Sequence, residues 1–457
     1  MPETVENCSI DSFNDMSGLL GATHYYLHCK NADHLDGKKI TGKFETLTIE
    51  GSGALNALHL VGFPNLTRLI VNDDQITQLD IASLTTLKHV ELSASKLTEL
   101  RLPKLTLNSL KLCNIDNLAS FTYENITVDS LSLCGAPKFD LVPLLAKTTY
   151  GLTLEGEALS TAQWPVLPQI KSLSIKNNTQ PLDLTTAPNV QFLNLSGASA
   201  KQLDLANAQV EAIALTDSNI ENLITSSTTK QLTLKRHQSE GLKIKGDNLE
   251  TLKLSGRGKL PVLKIDALNN LKEVNVDDTE MRLLSLSSAA NLQKVDIKKS
   301  NFRQLITASD PALSEFSVTD TTIDSMILGN AEQLKTARFE QTQIKAFEYY
   351  QMENLEELRF YDTRLADLDV SGLDALRILE IAYAPLINLD VSRNHYLEYL
   401  NLYGTQISSL DVSKNTGLNR IIISKNPLGC AQEQAIRKQF AAPKNLVVLS
   451  DNNCPAP

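Results

Sequence analysis

The chain has 457 residues, 42% hydrophobic and 21% charged, a balance that excludes wholesale disorder. Aromatics are only 5%, with one tryptophan, so the core must be aliphatic. A net charge of −10 argues against a general nucleic-acid binder, and no apolar run reaches the roughly 18 residues a membrane helix needs.

The opening MPETVENCSIDSF carries neither the basic nor the apolar region of a secretory leader. Residues 1–43 precede the first repeat and are expected to cap the N-terminal end. Cys8 and Cys29 bracket part of this segment and are expected to form a disulfide. His24, His28, Cys29 and His34 also crowd it. However, THYYLHC reads as a strand, where side chains four residues apart sit about 13 Å from each other, too far to share a metal. No metal or cofactor is expected.

From residue 44 to residue 428 the pattern L-x-x-L-x-L recurs. Its second leucine-like position falls at Leu47, Leu69, Val90, Leu110, Leu131, Leu152, Leu173, Leu193, Ile213 and Leu232. It continues at Leu252, Val274, Val295, Phe316, Ala337, Leu358, Leu379, Leu400 and Ile421. The spacing is about 21 residues, within the range of leucine-rich repeats, and such regularity means a solenoid. A second apolar pair follows about ten residues later, as in Leu368/Val370 and Leu389/Val391. Ten residues leave no room for a helix and two turns. Each coil therefore reads as strand, turn, short extended segment, turn. The expected fold is a gently curved, β-rich horseshoe of about 19 coils, with a parallel concave sheet and extended segments on the convex side. Asp74, Ser95, Ser218, Thr279, Ser300, Thr321, Thr342, Thr363 and Thr405 occupy one turn position, with Asn426 in the last coil. They are expected to bond nearby backbone as a structural ladder.

Residues 429–457 are expected to cap the other end. AQEQAIRKQF reads as a helix with Ala435, Ile436 and Phe440 on one face. Pro443 stops it, and NLVVLS is extended. Cys430 and Cys454 bracket the unit and are expected to form a second disulfide. Cys113 and Cys134 share a repeat position 21 residues apart and point outward from adjacent strands. The strand spacing of about 4.8 Å exceeds the usual disulfide Cβ separation of about 3.8 Å, so a bridge and free thiols both stay open.

The stretch LDVSRNHYLEYLNLYGTQISSLDVSKNTGLNRIIISKNPLGC, Leu389 to Cys430, resembles bacterial surface leucine-rich-repeat proteins of the internalin J type. The similarity lies in the 21-residue unit and the L-D-V-S-x-N phrase. N-P-L-x-C, followed by N-C, is similar to the tail of secreted bacterial repeat proteins. Internalin J carries a cysteine ladder at an inward strand position, unlike Cys113 and Cys134, and CPAP is not a wall-anchoring signal. The cysteine-bounded ends resemble, more weakly, secreted arthropod immune repeat proteins.

Seven of eleven tyrosines fall between Tyr349 and Tyr403. The outward strand positions there are Arg338, Glu340, Arg359, Tyr361, Glu380, Tyr399, Tyr403 and Arg420. Exposed tyrosine and arginine are enriched in interface hot spots. Tyr361 and Tyr403 should flank a shallow notch over Ala382, with Arg359 and Glu380 beside it. A second candidate is the basic stretch 230–264, with nine Lys/Arg against three Asp/Glu. No hydrolase, P-loop, dinucleotide-binding or zinc-protease motif is present, so no catalytic residue is expected. The expected function is non-enzymatic recognition of a protein or glycan by a secreted or cell-surface bacterial protein of adhesin type. Neither nucleic-acid binding nor membrane insertion is expected. The rival readings are an arthropod immune recognition factor and the scaffold of an intracellular or injected effector.

Overall fold

The structure is a computed structural model. It describes residues 45–51, 56–123, 125–135, 140–156, 165–177, 182, 184–265, 268–287, 289–308, 311–439, 447–451 and 454, and the backbone of strands Glu3–Val5, His24–Cys29 and His34–Asp36. It divides into two compact units, residues 1–199 with 208–210, and residues 200–207 with 211–457. Cys8 lies outside the described residues, so its expected pairing with Cys29 is not described.

In the first unit a long sheet runs from Glu3–Val5 to Phe192–Ser196, every strand parallel to the next. Leu47, Leu69, Val90, Leu110, Leu131, Leu152, Leu173 and Leu193 stand in one register row and are buried. The row starts earlier than the leucine pattern shows, because Tyr25 and Leu27 pair with Leu47 and Ile49. THYYLHC is a strand as expected, but a tyrosine holding the leucine slot kept it out of the repeat pattern. Five short strands, from His34–Asp36 to Ser120–Thr122, form a second parallel sheet on the back. Further along, a single helical turn, Val142–Leu145, replaces the back strand, with the Val142 amide capped by Asp140 at 3.0 Å.

Cys113 and Cys134 are partners on adjacent strands and are joined, with Cα atoms 4.4 Å apart. Local approach of the strands closes the gap that left this pairing open in the sequence. Both residues are half-buried and alternate with buried leucines, so they face outward.

In the second unit the long sheet runs from Ala212–Thr216 to Val447–Leu449, again all parallel. On the back, Asn219–Ile224 pairs with Lys243–Lys245. Five strands from Val262–Lys264 to Gln343–Tyr350 form another parallel sheet. Between these two groups, among the described residues, only the bridge Leu242 to Leu263 remains. Aliphatic side chains fill most of the interior, each worth about 1.5–3 kcal/mol when fully buried. One aromatic cluster interrupts them. Phe339 stacks on Phe360 at 4.8 Å, and Phe347 meets both edge-on at 5.5 Å.

One backbone device recurs where the chain leaves the long sheet. Asp217, Arg236, Gly256, Asp278, Lys299, Asp320, Gln341, Asp362, Tyr383, Gly404 and Lys425 all have left-handed φ. Asn, Asp and Gly tolerate this conformation, which suits their frequency in the row. In most coils the residue that follows turns inward: Ser218, Thr279, Ser300, Thr321, Thr342, Thr363 and Thr405 are all buried. The Ser300 hydroxyl donates to Lys298 O at 2.7 Å and accepts from the Thr279 amide at 3.1 Å. Thr321 donates to Thr319 O at 2.8 Å and accepts from the Ser300 amide at 3.3 Å. The expected ladder is thus a backbone-satisfying device at Ser300 and Thr321, whereas the buried Thr363 hydroxyl has no partner among the described residues. Asp74 and Ser95 do not belong to it. No left-handed residue occurs in those coils, the chain turns one residue earlier, and Asp73 and Ala94 are buried instead.

The L-D-V-S-x-N phrase has a similar account. Leu389, Val391, Leu410 and Val412 are buried. Asp390 and Asp411 accept the amides of Ser392 and Ser413 at 2.8 Å. Asn394 donates to Val370 O and Leu373 O, and Asn415 to Val391 O and Asn394 O, at 2.8–2.9 Å. Each asparagine closes backbone of the preceding coil.

After the last repeat comes the helix Cys430–Gln439, tied by the disulfide Cys430–Cys454. Its buried residues are Glu433 and Ile436, whereas Ala435 is exposed. The expected apolar face is therefore rotated. Buried Glu433 replaces Ala435 because Arg437 and Ser450 donate to its carboxylate at 2.7 and 2.6 Å. Phe440 lies outside the described residues.

Candidate binding surface on the long sheet

The outward residues of the second unit form rows, because in-register strands place every coil's equivalent side chain beside the last. The central row reads Ser317, Arg338, Arg359, Glu380 and Asn401. Beside it run Thr336, Glu357, Ile378, Tyr399 and Arg420 on one side, and Glu340, Tyr361 and Ala382 on the other. All eight expected site residues are on this face. Arg338, Glu340, Tyr361 and Arg420 are exposed; Arg359, Glu380, Tyr399 and Tyr403 are only half-exposed.

The charged members are tied to one another. Glu357 accepts from Arg359 at 2.7 Å and Arg338 at 3.0 Å. Arg359 reaches Glu380 at 2.8 Å, and Glu380 accepts from the Asn401 amide at 2.8 Å. Burial alone would raise the Glu357 pKa, but its hydrogen bonds to the two arginines hold it below the usual carboxylate value. Arg359 and Glu380 are thus a braced patch rather than free groups beside a notch.

The notch itself is filled. Ala382 is buried, and the next residue, Tyr383, puts its ring between the two expected walls. Ring centres lie 5.4 Å apart for Tyr361 and Tyr383, and 5.1 Å for Tyr383 and Tyr403, both close to edge-to-face. Three tyrosines therefore make a continuous row. Tyr383 holds it with a left-handed φ of 54°, an unusual conformation for a bulky residue. Room for its ring comes from Gly404, where an added Cβ would lie 3.3 Å from Tyr383 Cδ1. Residue 383 follows the expected strand face by one step, and no sequence pattern marks it as turning outward. The repeat spacing from Asp362 and Gly404 would have found the position.

Lys425 ends the row, with its ammonium 5.2 Å from the Tyr403 ring centre. Its hydrogen bond to the Tyr403 phenol holds that pKa below the usual tyrosine value. The Tyr383 pKa is raised, first by its hydrogen bond to Tyr403 and then by burial. Asp451, beyond the terminal helix, fixes this turn by accepting the Lys425 amide at 3.0 Å. The Arg420 guanidinium lies 5.9 Å from the Tyr399 ring centre. The surface thus offers three partly exposed rings, a cation at one end and a braced ion-pair patch alongside.

No protein-family profile matches the sequence, and no curated protein matches it. Among solved structures the chain is similar to YopM from Yersinia enterocolitica, with 18% identity over 84% of this chain and 78% of that one, TM-score 0.42. It is similar to InlJ from Listeria monocytogenes, with 17% identity over 85% and 67%, TM-score 0.25. It is also similar to a chain of the Drosophila Toll–Spätzle complex, with 14% identity over 97% and 60%, TM-score 0.46. The stacked parallel strands, the buried leucine rows and the repeating register make this chain a leucine-rich-repeat solenoid.

Proposed function

We propose that this is a non-enzymatic binding protein that recognises a protein or glycan through the long-sheet face between Arg338 and Lys425. The supporting observation is the row Tyr361, Tyr383, Tyr403, whose central member keeps a left-handed backbone that a small polar residue would adopt more easily. Rigid tyrosines give large contact area at small entropic cost, and a neighbouring arginine or lysine supplies charge. In this reading Tyr361, Tyr383, Tyr399 and Tyr403 are the anchors. Arg338, Glu340, Arg359, Glu380 and Arg420 form the polar surround. Residues 1–43 and 429–457 act as caps, and the protein works in the manner of surface proteins of the internalin J type. The disulfides Cys113–Cys134 and Cys430–Cys454 favour an oxidising compartment, hence a secreted or surface-exposed protein of adhesin type.

The test is binding to arrays of defined glycans and extracellular protein domains. Wild type and the Tyr361→Ala/Tyr383→Ala/Tyr403→Ala variant are compared at equal concentration. Hits of the wild type should weaken at least about tenfold in the variant, as expected for hot-spot loss, with an unchanged circular-dichroism melt. Wild-type hits that all survive the triple substitution would move the site elsewhere.

A further inference from the structure

The back of the second unit holds a trough of about 1010 Å³, rimmed by Lys243, Lys245, Lys259 and Lys264. Its origin is readable in the coil lengths. The steps from Ile213 to Leu232 and from Leu232 to Leu252 are 19 and 20 residues, and the step to Val274 is 22. The short coils shift the back pairing. Leu223 pairs with Ile244, but the next bridge runs from Leu242, two residues earlier, to Leu263. An even slip keeps the apolar residues facing inward while breaking the sheet. The break opens the trough.

Some lysines of the unit are matched: Lys272 to Glu250 at 3.0 Å, Lys294 to Glu315 at 3.2 Å, Lys335 to Glu356 at 2.9 Å. Others, such as the long-sheet Lys235 and Lys253, stand apart from one another at exposed positions of successive strands, whereas the trough gathers four. Among the described residues, no carboxylate lies within ion-pair distance of the four trough lysines, all of which are exposed. Glu221 and Glu240 also line the trough, leaving a local excess of positive charge inside a chain of net charge −10. Asn222 and Gln238, whose amide nitrogens donate to Lys201 O and Arg236 O, line the trough together with Val262.

We propose that this trough binds an acidic polysaccharide, a chain of sulfated or carboxylated sugars. Lys243 and Lys245 alternate with buried Ile244, so they share a face about 6.6 Å apart. Lys264 stands on the far side of the break, and Lys259 also lines the trough. Charges spread this way suit an anion with several separated charges rather than one phosphate. The amide oxygens of Asn222 and Gln238 can accept from sugar hydroxyls, and Val262 offers an apolar surface to the C–H side of a sugar ring. A recessed trough also disfavours a flat bilayer. This site lies on the opposite side of the coil from the tyrosine row and does not depend on it.

The experiment measures binding of fluorescent dextran sulfate oligomers to the full chain, with neutral dextran, phosphatidylserine vesicles and poly-glutamate as further probes. Wild type should bind dextran sulfate, more weakly as salt rises, and ignore neutral dextran. Lys243→Gln/Lys245→Gln should lose at least tenfold. Lys235→Gln/Lys253→Gln, the same charge change at exposed positions of the long sheet, should stay within twofold. Equal loss in both pairs would reduce the effect to net charge and overturn the site. So would the absence of dextran sulfate binding, or stronger binding to vesicles or poly-glutamate than to dextran sulfate. Matching melting curves for all three proteins confirm that folding is unchanged.

Discussion

Two stretches of the second unit follow the same plan with different bookkeeping of length. From Val274 to Ile421 every coil has 21 residues. There the back strands stay in one register from Val262–Lys264 to Gln343–Tyr350, and the buried hydroxyls of Thr279, Ser300, Thr321, Thr342 and Thr363 succeed one another. From Ile213 to Val274 the lengths are 19, 20 and 22. There the back sheet breaks, buried His237 replaces the hydroxyl, and the equivalent Arg257 is exposed. Gly258 packs so closely that a Cβ would lie 2.1 Å from His237 O. Constant length gives a uniform scaffold on which outward residues can form rows. Variable length gives a recess.

The largest expected effect is in the regular coils. Phe360→Ala removes the partner of both Phe339 and Phe347 and should cost about 3–5 kcal/mol in chemical unfolding. Next is Thr321→Val, which keeps shape and removes the hydroxyl. The Ser300 amide loses its acceptor inside the coil, so the loss should be about 1–3 kcal/mol. A near-neutral result would mean the hydroxyl succession is incidental and would blur the contrast between the two stretches.

A smaller effect separates the stretches by pH. Burial lowers the His237 pKa from 6.5, partly opposed by its bond to Ile220 O at 3.0 Å. In the unfolded chain the imidazole takes up a proton near pH 6.5; in the folded chain it does so only at lower pH. The stabilisation is therefore complete above about pH 6.5 and is lost as pH falls toward the folded value. Unfolding measured at pH 7.5 and pH 5 should show a steeper fall for wild type than for His237→Gln. Parallel curves would remove His237 as the source.

The fold was legible in the sequence because a solenoid repeats its core pattern. Leucine slots, the ten-residue offset to the second pair and the Asp-Ser phrase are local signals written many times. What escaped was local exception. Tyr25 kept an expected strand out of the repeat row by occupying a leucine slot, and Glu433 hid a buried charge whose partners are four and 17 residues away. On the candidate surface, alternation identified the outward positions but not their pairing. Arg359 and Glu380 looked available and are bonded to each other. Tyr383 fell outside the period-two pattern, since a left-handed residue breaks that period. The trough needed the relation between coil length and back pairing, which no single coil displays.

On this reading the uniform coils and the irregular coils present two independent binding faces. The most direct measurement sets three proteins, wild type, Tyr361→Ala/Tyr383→Ala/Tyr403→Ala and Lys243→Gln/Lys245→Gln, against the same dextran sulfate and against the strongest wild-type hit from the arrays. Separate losses are expected: the tyrosine variant loses the array hit and keeps dextran sulfate, and the lysine variant does the reverse. If both variants lose both ligands together, or neither variant loses either, the division into two faces is wrong.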